Sequence, residues 1–274
     1  MNNMLNQTLN RIPKHSHQMM AELEQAIETD QLNLYYQPIF SMATGVIEGL
    51  EALVRWYHPE KGQIFPGEFV PLAERSGLIV SLGNWVLEKA CQQLQQWQLQ
   101  GAIPEQVAVS INVSSKQLVS LNFLDNFDRI LRETKLNARC LKLELTETTS
   151  ISLDGKMEFL LQELRSRDIH LALDDFGTGF SSLSHLHQIP AKSLKIDRSF
   201  VRNLDVDWKS HAIVSSIVQL AHSLGITVTA EGIETRMQQQ EIQALGCEQG
   251  QGYLFSEPLC PQKATQFIAQ CVAN

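Results

Sequence analysis

With 274 residues, 43% of them hydrophobic, the chain is long enough to bury one large core or two small ones. Its formal net charge of -8, without any Lys/Arg-rich run, argues against nonspecific binding to duplex DNA or RNA, which depends on many phosphate contacts. No apolar run reaches the length of a transmembrane helix, and the N-terminus lacks the apolar core of a signal peptide.

Residues 1–20 read as a polar leader or linker remnant ahead of a domain over 21–274. Helical apolar spacing (Met19, Met20, Leu23, Ala26, Ile27) nevertheless sets in from about His17 and runs to Thr29. Leu32 to Phe40 is strand-like until Pro38 stops it, and Val46 to Trp56 reads as a second strand. A polar connection with Gly and Pro leads to a helix around Pro66–Arg75. A long amphipathic helix follows, with Leu82, Val86, Ala90, Leu94 and Trp97 on one stripe.

From there strands and helices alternate regularly. Strands are predicted at Val107–Ile111, Cys140–Leu143, His170–Leu173, Ser193–Ile196, Ile226–Ala230 and around Gly252–Phe255. Helices are predicted between them, one near Ser181–His187, one ending at Gly225, one over Arg236–Leu245 and a closing one after Pro261. About eight strands in this order and length predict an α/β fold, a (β/α)₈ barrel, with a doubly wound open sheet as the fallback.

Active sites of such barrels lie at the C-terminal strand ends. Polar residues recur there: Glu51, Asn112, Glu144, Asp174, Asp175, Lys195 and Glu231. Each one alone reads as a helix cap or turn residue. Asp174 and Asp175 alone leave two readings level: a metal site, or one acid solvated in the loop and the other capping the next helix. Lys195 is harder to dismiss, since its flanks Leu194 and Ile196 look buried and lysine is rarely buried unpaired. Several acids and an amide converging on one mouth require cations, which favours two oxygen-ligated divalent ions, Mg²⁺ or Mn²⁺. His185 and His187 read as surface or packing residues, and Gly177-Thr178-Gly179 as a mobile loop and not a nucleotide cradle. Five scattered cysteines (Cys91, Cys140, Cys247, Cys260, Cys271) without CxxC spacing read as reduced thiols of a cytoplasmic protein.

From about residue 21 onward the chain resembles the EAL-domain family of cyclic di-GMP phosphodiesterases. The segments that carry the likeness are Tyr36-Gln37-Pro38-Ile39, Glu51-Ala52-Leu53-Val54-Arg55-Trp56, Phe69-Val70-Pro71-Leu72-Ala73-Glu74, Ile111-Asn112-Val113-Ser114 and Glu144-Leu145-Thr146-Glu147. Asp174-Asp175-Phe176-Gly177-Thr178-Gly179, Leu194-Lys195-Ile196-Asp197, Ala230-Glu231-Gly232-Ile233-Glu234 and Gln251-Gly252-Tyr253 complete it. The resemblance implies a modified TIM barrel whose first strand is antiparallel to the others. It implies metal ligands at Glu51, Asn112, Glu144 and Asp174, with Asp175 and Glu231 on a second ion. Lys195 corresponds to a lysine beside the attacking water, with Glu231 as an accompanying base. Glu147 and Glu234 correspond to loop-positioning residues, and Gln37, Leu53, Arg55, Asn112, Asp175 and Gln251 to substrate contacts.

One departure is Phe180, where the family commonly has tyrosine. The activity implied is hydrolysis of cyclic di-GMP to linear pGpG with Mg²⁺ or Mn²⁺, Ca²⁺ being non-productive. The alternative is a cyclic di-GMP receptor working through loop and dimer rearrangement. A homodimer and an upstream GGDEF or sensory domain are the partners implied.

Overall fold

The computed structural model describes residues 14–29, 31–104, 106–146, 155–177 and 189–272. Helix α1 (Lys14–Glu28) buries Leu23 and Ala26 on one stripe, as its spacing predicts. Strands β1 (Leu32–Ser41) and β2 (Ile47–His58) form a long antiparallel pair, and the short β3 (Gly62–Ile64) folds back on the end of β2. Helices α2 (Pro66–Ser76) and α3 (Ile79–Leu99) follow. The alternating part comprises β4 (Ala108–Val113), α4 (Ser115–Leu118), α5 (Phe123–Thr134), β5 (Leu141–Thr146), α6 (Gly155–Ser166), β6 (His170–Phe176) and β7 (Ser193–Ile196). It continues with α7 (Arg198–Val201), α8 (Trp208–Ser223), β8 (Thr227–Ala230), α9 (Arg236–Ala244), β9 (Gln249–Gly250) and α10 (Pro261–Val272).

The strands close into a ring of eight, with β3 outside it. β2, β4, β5, β6, β7, β8 and β9 are joined by parallel pairings, and β1 closes the ring by antiparallel pairing to both β2 and β9. The open doubly wound sheet is thereby excluded, and the reversed first strand is present as the resemblance implied. Strand residues facing the helices are apolar and fully buried (Leu50, Val109, Ile111, Leu143, Leu171, Leu194, Val228), and they meet the large rings of Trp97, Phe69, Phe123 and Phe127. This is the dry layer between sheet and helices that stabilises such a barrel.

The inward face differs. Two residues before each polar strand-end position it carries Gly49, Ser110, Lys142, Ala172, Ser193 and Thr229, where most barrels have bulky branched side chains. Apart from Lys142 these side chains are small, and they leave space under the mouth for a long one from β7.

Two strand readings fail: Pro38 does not stop β1, which runs on to Ser41 with Pro38 paired to Leu50, and the strand predicted around Gly252–Phe255 does not form. The last strand is Gln249–Gly250, whereas Gly252–Phe255 forms a turn in which Phe255 and Ser256 donate backbone N–H bonds to the Gly252 carbonyl at 3.1 Å. The cause is close approach to Ile233: a Cβ on Gly252 would stand 2.1 Å from the Ile233 carbonyl oxygen. Leu254 then donates to that carbonyl at 3.0 Å, and an extended strand has no room. The predicted leader up to residue 13, Glu147, Thr178, Gly179, Phe180 and the helix predicted near Ser181–His187 lie outside the described residues, while residues 14–20 belong to α1.

Candidate active site

Strand alternation alone would turn Asp174 and Asp175 to opposite faces of the sheet. The β6–β7 register prevents this. Leu173 pairs with Leu194 and Phe176 with Ile196, so two residues of β6 stand opposite Lys195 alone, which is a β-bulge. Asp175 takes a left-handed backbone (φ 54°), and its N–H donates to Asp174 Oδ1 at 3.0 Å. Such a conformation in a non-glycine residue costs about 1–3 kcal/mol and is kept where the surroundings impose it.

Lys195 is the centre of the mouth. Its Nζ lies 2.6 Å from Glu231, 2.7 Å from Glu144, and 3.3 Å from both Glu51 and Asp174. The side chain is only 2% exposed, so these contacts act where water screens little. Burial opposes the ammonium charge, but Glu144, Glu231, Glu51 and Asp174 together hold its pKa well above the usual lysine value.

The carboxylates pay unequally for their crowding. Glu144 is pushed up to about 7 by burial, with Glu51 and Asp174 adding to the rise against the pull of Lys195. Glu231 is raised well above the usual range, again by burial first and then by Asp174 and Glu51. Asp175 rises to about 6 through burial and the neighbouring Asp174. Glu51 goes the other way: burial is outweighed by Lys195 and by hydrogen bonds from Gln251 and Asn112. Gln251 Nε2 donates to Glu51 Oε2 at 2.6 Å and to Glu231 Oε1 at 3.1 Å, and Asn112 Nδ2 donates to Glu51 Oε1 at 2.9 Å. Glu144 Oε1 is fully buried without a hydrogen-bond partner among the described residues.

These features fit a site for cations. Glu51, Glu144 and Asp174 bring one oxygen each within 4.8 Å of one another, and so do Asp174, Asp175 and Glu231. The two sets share Asp174, and all their donors are hard oxygens. Lys195 alone cannot neutralise these acids, and the orphaned Glu144 oxygen is a coordination position without a protein partner.

Other predicted residues fall around this centre. Gln37 is buried, and its Nε2 donates to the Ser256 carbonyl at 3.1 Å. Leu53 lines a largely apolar cavity of about 350 Å³ beside Asn112, walled by Pro66, Val70, Pro71 and Leu82. Arg55 is half-buried and reaches the Val54 carbonyl. Glu234 is exposed just before α9, and its backbone N–H donates to Gln238 Oε1 at 2.8 Å. Sequence reasoning missed the cavity, although Phe69–Glu74 supplies part of its wall. It also missed Tyr35, whose strand position opposite Leu53 sets it at the mouth.

An EAL domain model matches residues 20–258. Two curated relatives from Pseudomonas aeruginosa are similar: the bifunctional diguanylate cyclase/cyclic di-GMP phosphodiesterase MucR and the cyclic di-GMP phosphodiesterase NbdA. MucR is 40% identical over 252 residues, which are 92% of this chain and 36% of MucR. NbdA is 40% identical over 251 residues, 92% of this chain and 32% of NbdA. The chain therefore spans about a third of the length of these relatives. Among solved structures, a PaMucR phosphodiesterase complex with c-di-GMP superposes with a TM-score of 0.85 at 40% identity, covering 90% of this chain and 99% of that one. The EAL enzyme Bd1971 gives a TM-score of 0.87 at 36% identity, covering 93% and 70% of the two chains. With the whole barrel and its acid-lined mouth inside the matched region, the chain belongs to the EAL domain family.

Proposed function

We propose that the chain hydrolyses one phosphodiester bond of cyclic di-GMP to give linear pGpG, and so lowers the level of a second messenger. The observation that carries this reading is the pair of carboxylate sets sharing Asp174 around the buried Lys195. In the proposal Glu51, Asn112, Glu144 and Asp174 hold one divalent cation, and Asp174, Asp175 and Glu231 a second, with Mg²⁺ or Mn²⁺ productive and Ca²⁺ not. Divalent cations, when bound, supply Lewis acidity toward a phosphate oxygen and a water of lowered pKa.

The chain's own groups do the rest. Lys195 donates to a water beside the acids and holds it in line with the departing 3′ oxygen. Glu231, which lies 2.6 Å from Lys195 Nζ, takes the proton from that water. Arg55 binds a nonbridging phosphate oxygen through its fork. The 350 Å³ cavity beside Leu53 and Asn112 admits one base against an apolar wall, and Gln37 and Gln251 are proposed as further substrate contacts. Glu147 and Glu234 are proposed to hold the loops behind Asp175 and Glu231. We further propose a homodimer, a cytoplasmic setting, a domain boundary near residue 20, and service beside an upstream GGDEF or sensory domain. No helix among the described residues is long and apolar enough to cross a membrane.

Product analysis with cyclic di-GMP in Mg²⁺, Mn²⁺ and Ca²⁺ tests the reading. Formation of pGpG with Mg²⁺ or Mn²⁺ is expected. Tight binding without product in either would instead establish the receptor alternative.

A further inference from the structure

Arg55 stands at the mouth without a carboxylate in ion-pair contact among the described residues. Among the described residues its hydrogen bond runs from Nη1 to the Val54 carbonyl at 2.9 Å, and no Asp or Glu lies within ion-pair distance. It is half-buried, and its N–H groups are not among the fully buried unpartnered polar atoms, so the fork stays open to an incoming group. A guanidinium in that condition favours an anion.

What holds it is a ring. Arg55 Cζ lies 5.8 Å from the centroid of the Tyr35 ring, within cation–π range. The Tyr35 hydroxyl is hydrogen-bonded to the Tyr57 hydroxyl at 2.7 Å, and the two rings lie 6.4 Å apart. Tyr57 is anchored through its backbone N–H, which donates to the Gln31 carbonyl at 2.8 Å. The register explains the grouping. Asn33 is paired with Arg55 and Tyr35 with Leu53, so Tyr35 and Arg55 are diagonal neighbours on one face of the β1–β2 pair, with Tyr57 one step further along.

The chemistry of this support differs from that of a salt bridge. A ring face attracts a guanidinium through its quadrupole and leaves every N–H unused, whereas a carboxylate would occupy the fork and cancel the charge. Arg55 is thus held in place while its hydrogen-bonding capacity stays open.

We propose that Tyr35, fixed through the Tyr57 hydroxyl, is a positioning residue that presents the Arg55 guanidinium to a phosphate of the dinucleotide. This rests on the proposed hydrolysis of cyclic di-GMP and adds to it a residue acting through Arg55. Tyr35 is not a catalytic residue. It touches neither the acid cluster nor Lys195, and its effect is confined to binding.

A double-mutant cycle on the whole chain tests it, with KM and kcat for cyclic di-GMP measured for the parent, Tyr35→Leu, Arg55→Met and the double variant, and with Tyr35→Phe as the conservative control. Losing the ring face is expected to raise KM about two- to fivefold with kcat little changed, the size of an exposed cation–π contact. Tyr35→Phe should raise KM less than Tyr35→Leu does, because the ring face over Arg55 stays while its anchor on the Tyr57 hydroxyl is lost. In the Arg55→Met background, Tyr35→Leu should add nothing, because the contact it removes is already gone. An equal rise in KM in both backgrounds, or no rise with Arg55 present, would overturn the inference while leaving the hydrolase reading intact. Parental KM in Arg55→Met would overturn it too. A parent chain that neither binds nor cleaves cyclic di-GMP would sink the function first and this inference with it.

Discussion

A lysine surrounded by four carboxylates is an arrangement that water would ordinarily dissolve, and at Lys195 water is excluded. Removing one partner of a buried ion pair costs about 3–5 kcal/mol, because the remaining charges are left uncompensated. Lys195→Met should therefore lower the unfolding temperature of the metal-free chain, and Mg²⁺ or Mn²⁺ should restore part of the loss by replacing the missing charge. Calorimetry with and without the ion decides this, and an unchanged transition would contradict it. Glu51→Ala should reduce pGpG formation by about 10- to 100-fold, as losses around a metal site do, while circular dichroism stays that of the parent.

The raised carboxyls make a pH prediction with a definite sign. Glu144 (about 7) and Asp175 (about 6) hold protons more tightly in the fold than in the unfolded chain. Their contribution to stability is therefore fully present below the usual carboxylate range, and is lost as pH rises through about 6 to 7. Divalent ions bind the ionised forms, so ion affinity should strengthen across that window, with protons released on binding. Titration calorimetry at both ends of the window, in buffers of different ionisation enthalpy, reads the effect. A flat affinity would refute it.

At the scale of elements, the strand ends were legible and their fine geometry was not. Apolar runs placed β4, β7 and β8 within a residue or two, because buried strands leave a strong composition signal. The polar residues just beyond them could be listed from the sequence, but only the closed ring shows that Lys195 reaches four acids at once. The bulge that turns Asp174 and Asp175 together is a matter of register between two strands, which one strand's sequence cannot express. Gly252–Phe255 misled for a related reason. Its Tyr, Leu and Phe have strand composition, while the actual β9 is the polar pair Gln249–Gly250. The tight contact of Gly252 with Ile233 predicts that Gly252→Ala forces the backbones apart, with a cost of about 1–3 kcal/mol as for other overpacked sites. Denaturant unfolding should show a lowered midpoint, and an unshifted one would mean the turn yields freely.

For the whole molecule, the proposed homodimer predicts a light-scattering mass near twice the 30.9 kDa of one chain. A single-chain mass at working concentration would remove it. The direction of β1 has another result. Most barrels receive their chain at the floor, away from the strand ends that carry the site, but here Leu32 is paired with Trp56 at the far end of β2, so the chain enters at the rim that carries the acids. Helix α1 is fastened there as well, since Glu22 accepts a hydrogen bond from Lys61, just past β2, and lies 3.6 Å from Nε2 of His58, the last residue of β2. Helix α1 is thus a handle on the two strands that carry Gln37, Glu51 and Arg55. Each residue inserted into a rigid helical extension of it would turn a fused neighbour by about 100° and advance it by about 1.5 Å. The phase of such an extension, more than its length, would decide which side of the mouth the neighbour faces.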